Sequence, residues 1–176
     1  MTKFNLAAGL LLALLTGLLT TVQTGCYSFK GISIDPNIKT FAVRTFETSA
    51  ANAPPTLAVD FSEKLKDKVR TETPLNLKNE EPDCEFSGRI SGFSVVPLAP
   101  KPGETVARNQ LKIDVFVNYT INKEGLKTEF PEAGRTFSFF SEFPNDADLS
   151  AVQDQLIEEI TKQLLEDIFN AAFNNW

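Results

Sequence analysis

Every odd-numbered position from Leu111 to Ile121 is apolar: Leu111, Ile113, Val115, Val117, Tyr119 and Ile121. Between them stand Lys112, Asp114, Asn118 and Thr120, with Phe116 the one large apolar residue on the polar side. Such alternation predicts a strand that packs one face on a core and leaves the other in water, as in an antiparallel sheet covered on one side. The same period recurs in "GRTFSFFSEF", where Phe137, Phe139 and Phe143 share a face and Phe140 opposes them. Cys84, Phe86 and Ile90 also share a face, but Phe93 and Val95 fall on the opposite parity. Gly92 lies at this phase change and predicts a β-bulge that restores the inward face. A shorter β-run, Ile38–Phe46, follows the turn signal Asp35-Pro36-Asn37.

Two segments change to the helical period. Leu57, Phe61, Leu65 and Val69 recur every fourth residue after Pro54-Pro55, and the helix should stop near Thr73, before Pro74. Val152, Leu156, Ile160, Leu164 and Ile168 form a longer row, opened by capping-box spacing at Ser150 and Gln153. Neither helix can bury its stripe alone, and the sheet has one apolar face. The pattern therefore predicts an α+β two-layer sandwich in the order β-α-β-β-β-α. It has a mostly antiparallel sheet of about four strands with both helices on one face. A short extra strand fits at Leu75–Leu77 or Leu126–Phe130, and Pro97–Arg108 reads as a long hairpin loop.

The first residues follow neither period. Lys3 precedes a run from Leu6 to Leu19 that is apolar apart from one Thr and two Gly, and Thr20, Thr21, Gln23 and Thr24 end it. It falls short of the roughly 20 residues a membrane-spanning helix needs and predicts a secretory signal peptide. Gln23-Thr24-Gly25-Cys26 resembles the lipobox of bacterial lipoproteins, with Gln23 in place of the usual Leu. That resemblance implies diacylglyceryl modification of Cys26, cleavage before it, and acyl chains such as palmitate on the new N-terminus. The alternative is an ordinary signal-peptide cut that leaves Cys26 as a thiol. The expected organisation is residues 1–25 as signal peptide, 26–36 as lipidated tether and 37–176 as one domain.

Composition narrows the chemistry. The net charge is −6, and removal of Lys3 makes the mature chain more acidic by one. No basic block suits nucleic acid. Histidine is absent, which removes the commonest general base and metal ligand. With Cys26 acylated, Cys84 is the remaining thiol, and its phase with Phe86 and Ile90 makes it a small buried hydrophobe rather than a nucleophile. Asp146 and Asp148 lack EF-hand spacing and suit the start of a helix instead. No catalytic constellation, metal site or cofactor motif is present, and a hydrolase is disfavoured.

Taken together, "GCYSFKGISIDPNIKTFAVRTF", "PTLAVDFSEKLKDKV", "FSGRISGFSVVPLAP", "RNQLKIDVFVNYT" and "LIEEITKQLLEDIFNAAFNNW" resemble the LptE-like lipopolysaccharide-assembly lipoproteins, in a non-enterobacterial branch. The resemblance implies a non-enzymatic outer-membrane lipoprotein facing the periplasm. It further implies a plug and assembly partner for an LptD-like β-barrel, in contact with lipopolysaccharide. The partner-facing candidates are Lys112, Asp114, Phe116 and Asn118 on the wet face, with the Pro97–Arg108 loop. Two readings fit Phe116: an interface anchor, or an aromatic without a partner, either lone and exposed or covered by a loop. Lys64, Lys66, Lys68, Arg70, Arg89, Lys101, Arg108 and Lys112 are candidates for anionic groups, against a reading as solvated surface charge. The competing function is a lipid-anchored periplasmic carrier that holds an apolar ligand among its phenylalanines.

Overall fold

Leu57, Phe61, Leu65 and Val69 line the buried side of helix α1 (Leu57–Glu72), which ends at Thr73 as Pro74 requires. The computed structural model describes residues 32–99, 107–128 and 130–173. The sequence assignments to Cys26 and Lys101 lie outside these residues. Before α1 come β1 (Thr40–Val43) and β2 (Glu47–Thr48); after it come β3 (Asn76–Leu77), β4 (Cys84–Leu98), β5 (Arg108–Ile121), β6 (Arg135–Pro144) and helix α2 (Leu149–Phe173).

The α+β class holds, whereas the sheet is larger and more mixed than the alternation predicts. Six strands pair in the order β3-β1-β4-β5-β6, with β2 also beside β4. β1 runs parallel to both β3 and β4, and β2 runs parallel to β4. The cause is α1. A helix between two strands of one sheet carries the chain back to its starting end, so β1 and β3 must be parallel. Only the β4-β5-β6 meander is antiparallel. The short strand expected near Leu75–Leu77 is β3, while Leu126 to Thr128 form none.

Asp83 fixes the junction between the parallel and antiparallel halves. Its carboxylate accepts from the amides of Lys39 (2.7 Å) and Thr40 (3.0 Å), and its own amide donates to the Thr40 hydroxyl (3.0 Å). Lys123 reaches the same carboxylate at 3.4 Å. The amides of Lys39 and Thr40 hold this carboxyl down at about 2, against a smaller upward pull from burial.

The register of β4 slips between Ile90 and Gly92, which leaves Ser91 as the bulge. Ile90 therefore lies opposite Val115 and Phe93 opposite Ile113, all four inward and buried. Val95 is 40% exposed despite its inward phase, although Leu111 opposite it is fully buried. The hairpin is also longer than expected, since Leu98 still pairs with Arg108.

Ser62 makes a connection that no hydrophobic pattern announces. Its hydroxyl donates to the carbonyl of Ala58 (2.6 Å) and accepts from the amide of Phe46 (2.8 Å). α1 thereby clamps the chain between β1 and β2, where the Phe46 ring packs on Phe61 (5.3 Å) and over Gly88. A Cβ at Gly88 would collide with that ring and with the carbonyl of Phe116.

α2 starts at Leu149 rather than at a Ser150 cap. Asp148 is the capping residue, its carboxylate accepting from the amide of Ser150 (3.0 Å). At the other end the Phe173 carbonyl accepts from the amide of Ser33 (2.7 Å), while Ile32 and Ile34 pack on the core. No helix of the described residues is long and apolar enough to cross a membrane.

Two outcomes test this account. Val115→Asp puts an unpaired carboxylate at a site with no solvent exposure, so unfolding free energy should fall by about 3–5 kcal/mol in denaturant titration. A wild-type midpoint would overturn the inward face of β5. Asp83 is more acidic folded than its ordinary 3.8, so its contribution is present above pH 4 and is lost as pH falls toward about 2. Asp83→Asn should lower the neutral-pH midpoint and flatten its decline over that acid range.

Candidate functional site

The helices share one face of the sheet, and the other face of β4, β5 and β6 carries no layer of secondary structure among the described residues. Lys112, Asp114, Phe116 and Asn118 project from the middle strand of this outer face, and all four are half-buried by their neighbours. The strand register supplies those neighbours. Ser94 and Phe140 flank Lys112, Gly92 and Ser138 flank Asp114, and Arg89 and Thr136 flank Phe116.

Lys112 and Asp114 form an ion pair at 2.8 Å, and the Ser138 hydroxyl also donates to the Asp114 carboxylate. Partial burial pushes this carboxyl upward, yet the Lys112 and Ser138 contacts outweigh it and leave it below its ordinary value. Gly92 is where it is for a related reason: a Cβ there would meet the Asp114 side chain. The bulge thus serves both faces, restoring the apolar phase inside and making room for a carboxylate outside.

Phe116 is covered from two sides. The Arg89 guanidinium stacks on its ring, 4.4 Å from the centroid. The turn before β6 closes over the ring at Gly134, whose φ of 77° and lack of a side chain both suit this approach. Of the two sequence readings, the structure places Phe116 under a turn and a cation. The exposed aromatic on this face is Phe140, 46% accessible and directly opposite Lys112. Its opposed parity in "SFFS" was the available signal.

The basic candidates divide by partner. Lys66 pairs with Glu63, Arg70 with Asp67, Arg108 with Glu142 and Lys112 with Asp114. Lys68, read from the sequence as surface charge, is nearly enclosed. It bridges Glu72 and Glu166, each at 2.7 Å, and lies over the Phe169 ring, so it ties α1 to α2. Burial opposes its charge, but the two acids prevail and hold the ammonium above its usual range. On the outer face, Arg89 is exposed and has no carboxylate partner among the described residues.

The opposite face of the sheet is packed as core. Cys84 is fully buried, and burial pushes its thiol up to about 11, which makes it a poor nucleophile at neutral pH. Burial likewise raises Tyr119. Phe86, Tyr119, Phe130, Phe137, Phe169 and Phe173 join in a chain of ring contacts with centroids 4.6–6.2 Å apart. Clefts of 360 and 310 Å³ lie between the two helices, lined by Lys64, Glu158 and other charged residues. Another of 340 Å³ opens at the end of α2, beside Tyr119, Ile121 and Lys127.

No curated protein matches the sequence. Among solved structures, the chain is similar to a minor lipoprotein from Acinetobacter baumannii at 14% identity. That match covers 76% of this chain and 91% of the other, with TM-score 0.47. It is similar to the uncharacterized lipoprotein B from Nitrosomonas europaea at 13% identity, covering 79% and 88%, with TM-score 0.45. The rare lipoprotein B from Shewanella oneidensis matches at 9% identity over 76% and 90%, with TM-score 0.39. The family model for LptE, lipopolysaccharide-assembly, matches residues 38–172, from two residues before β1 to the last turn of α2. That span takes in all six strands and both helices, and the chain therefore belongs to the LptE lipopolysaccharide-assembly family.

Proposed function

We propose that this protein is a non-catalytic lipoprotein of the outer membrane, anchored through Cys26 and facing the periplasm. There it serves as plug and assembly partner of an LptD-like β-barrel during lipopolysaccharide delivery. The observation that carries the reading, given the family, is the uncovered outer face of β4-β5-β6. It is broad, mixed in polarity and preorganised by the Lys112–Asp114–Ser138 contacts and the Arg89–Phe116 stack. A surface of this kind suits docking against a protein wall, where an aromatic and arginine pair makes a natural centre.

The anchor strengthens such docking without enlarging the interface, because two or three acyl chains hold the domain beside its partner at high effective concentration. An anionic phosphate on lipopolysaccharide would meet Arg89 more readily than Lys112, which already has its carboxylate. The carrier reading has less support. Phe41, Phe61, Phe86 and Phe173 all pack with less than 2% exposure, so the aromatic interior is filled by the protein's own side chains.

Two experiments test the proposal. Cys26→Ser should abolish incorporation of radiolabelled fatty acid, and unchanged labelling would remove the lipid anchor. Phe116→Ala with Lys112→Glu should fold, yet co-purify with the barrel at least about tenfold less, and admit large antibiotics through the outer membrane. A folded double variant that retains both barrel and permeability barrier would remove this face from the interface.

A further inference from the structure

A sheet edge presents a row of unpaired backbone donors and acceptors, and proteins ordinarily protect it with short strands, prolines, bulges or lysines. Among the described residues, β3 and the far part of β4 are edges of this sheet that are protected in this way. β3 is two residues long and is followed closely by Lys78, Glu80 and Glu81. The far part of β4, beyond its pairing with β2, carries the Ser91 bulge and Pro97. β6 differs. It is 10 residues long, pairs regularly with β5 from Arg135 to Pro144, and contains neither lysine nor internal proline. Its centre is the uncharged run Ser138-Phe139-Phe140-Ser141, and among the described residues no strand pairs with its other side.

The surroundings of this edge specify what would bind it. On the outer face, Phe140 is exposed and offers an apolar contact. On the inner face, the Ser141 hydroxyl donates to Glu159 at 2.7 Å, which fixes one stripe of α2 above β6. Residues four apart share a stripe, so Gln163 and Asp167 continue it, and they are joined by a 2.9 Å hydrogen bond. A strand added to β6 would lie beside Glu159, with Asp167 two turns further along the same helical stripe. A second copy of this chain would bring those acids against their own counterparts, whereas a basic strand would complement them.

We propose that the free edge of β6 is a strand-addition site for an extended segment of a partner protein, with Lys or Arg on the side facing α2 and apolar side chains toward Phe140. Main-chain hydrogen bonds along β6 supply the affinity, and the two sets of alternating side chains supply the selectivity. The site borders the outer face at Phe140 and Thr136 but rests on backbone pairing along β6 rather than on Phe116, so Phe116→Ala distinguishes it from the outer-face reading.

The test is residue-resolved hydrogen exchange on the full chain in detergent, with a synthetic peptide that alternates Lys and Val and a control with Glu replacing every Lys. With the Lys peptide, alternate amides of β6 should slow by about tenfold, because only those pointing away from β5 gain a partner. The Glu peptide should leave them unchanged. Phe140→Lys should weaken binding by about fivefold or more at an unaltered unfolding midpoint, and Phe116→Ala should retain it. Thr136→Lys, at another exposed edge position, makes the same test if the first variant misfolds. Absence of alternating protection would overturn the site. Equal protection by both peptides would overturn its charge selectivity. Concentration-dependent protection of β6 without peptide would assign the edge to a second copy and overturn the proposed partner.

Discussion

The fold depends on the register of β5. Leu111, Val115 and Val117 are fully buried and Ile113 is almost so, while Lys112 and Asp114 between them face outward. A slip of one residue would exchange these sets and bury the ion pair in the aromatic layer. Every neighbour is therefore tied to the same phase. β6 must turn Phe137 and Phe143 inward, and β4 must insert Ser91 as a bulge to keep Phe93 on the side of Phe86 and Ile90. The helices then have one place to go, because each has a single apolar stripe and the sheet has a single apolar face.

How much of this is legible in the sequence depends on the range of the interactions. Elements with three or more periodic positions are readable: β5, β6 and both helices, and so is the bulge at Gly92, where parity changes within one strand. In the parallel half the runs that hold β1 and β3 are readable but their pairing is not, because β1, β2 and β3 are four, two and two residues long, too short for a period to fix their partners. Their places come from distant partners: Asp83 gripping the amides of Lys39 and Thr40, and Ser62 gripping that of Phe46. Such polar contacts between residues far apart leave no periodic trace.

The same distinction governs the surface. The wet face of β5 was readable from alternation, and Lys112, Asp114, Phe116 and Asn118 do share it. Whether each side chain is available was not readable, since that depends on residues across the strands. Lys68 has the spacing of a solvated helix cation, yet Glu166, distant in sequence, encloses it. Phe116 has the spacing of an exposed anchor, yet Gly134 and Arg89 cover it. Phe140 is the converse: a residue in an aromatic cluster that proves to be the exposed ring at a sheet edge.

This pairing of charges bears on how the outer face would recognise anything. In an acidic chain, a surface whose cations mostly have carboxylate partners has little long-range attraction for a polyanion. Arg89 departs from that pattern, because stacking on Phe116 holds its position through the ring and leaves the edge of its guanidinium free for an anion. A ligand phosphate at Arg89 would thus bind a group already fixed in place, without first breaking an ion pair. At Lys112 it would have to compete with Asp114 at 2.8 Å. The face is therefore suited to short-range recognition by shape and hydrogen bonding, with one preset cation, rather than to electrostatic capture from a distance. Such a surface works best when something else brings the partners together, and membrane tethering through a lipid at Cys26 would do so.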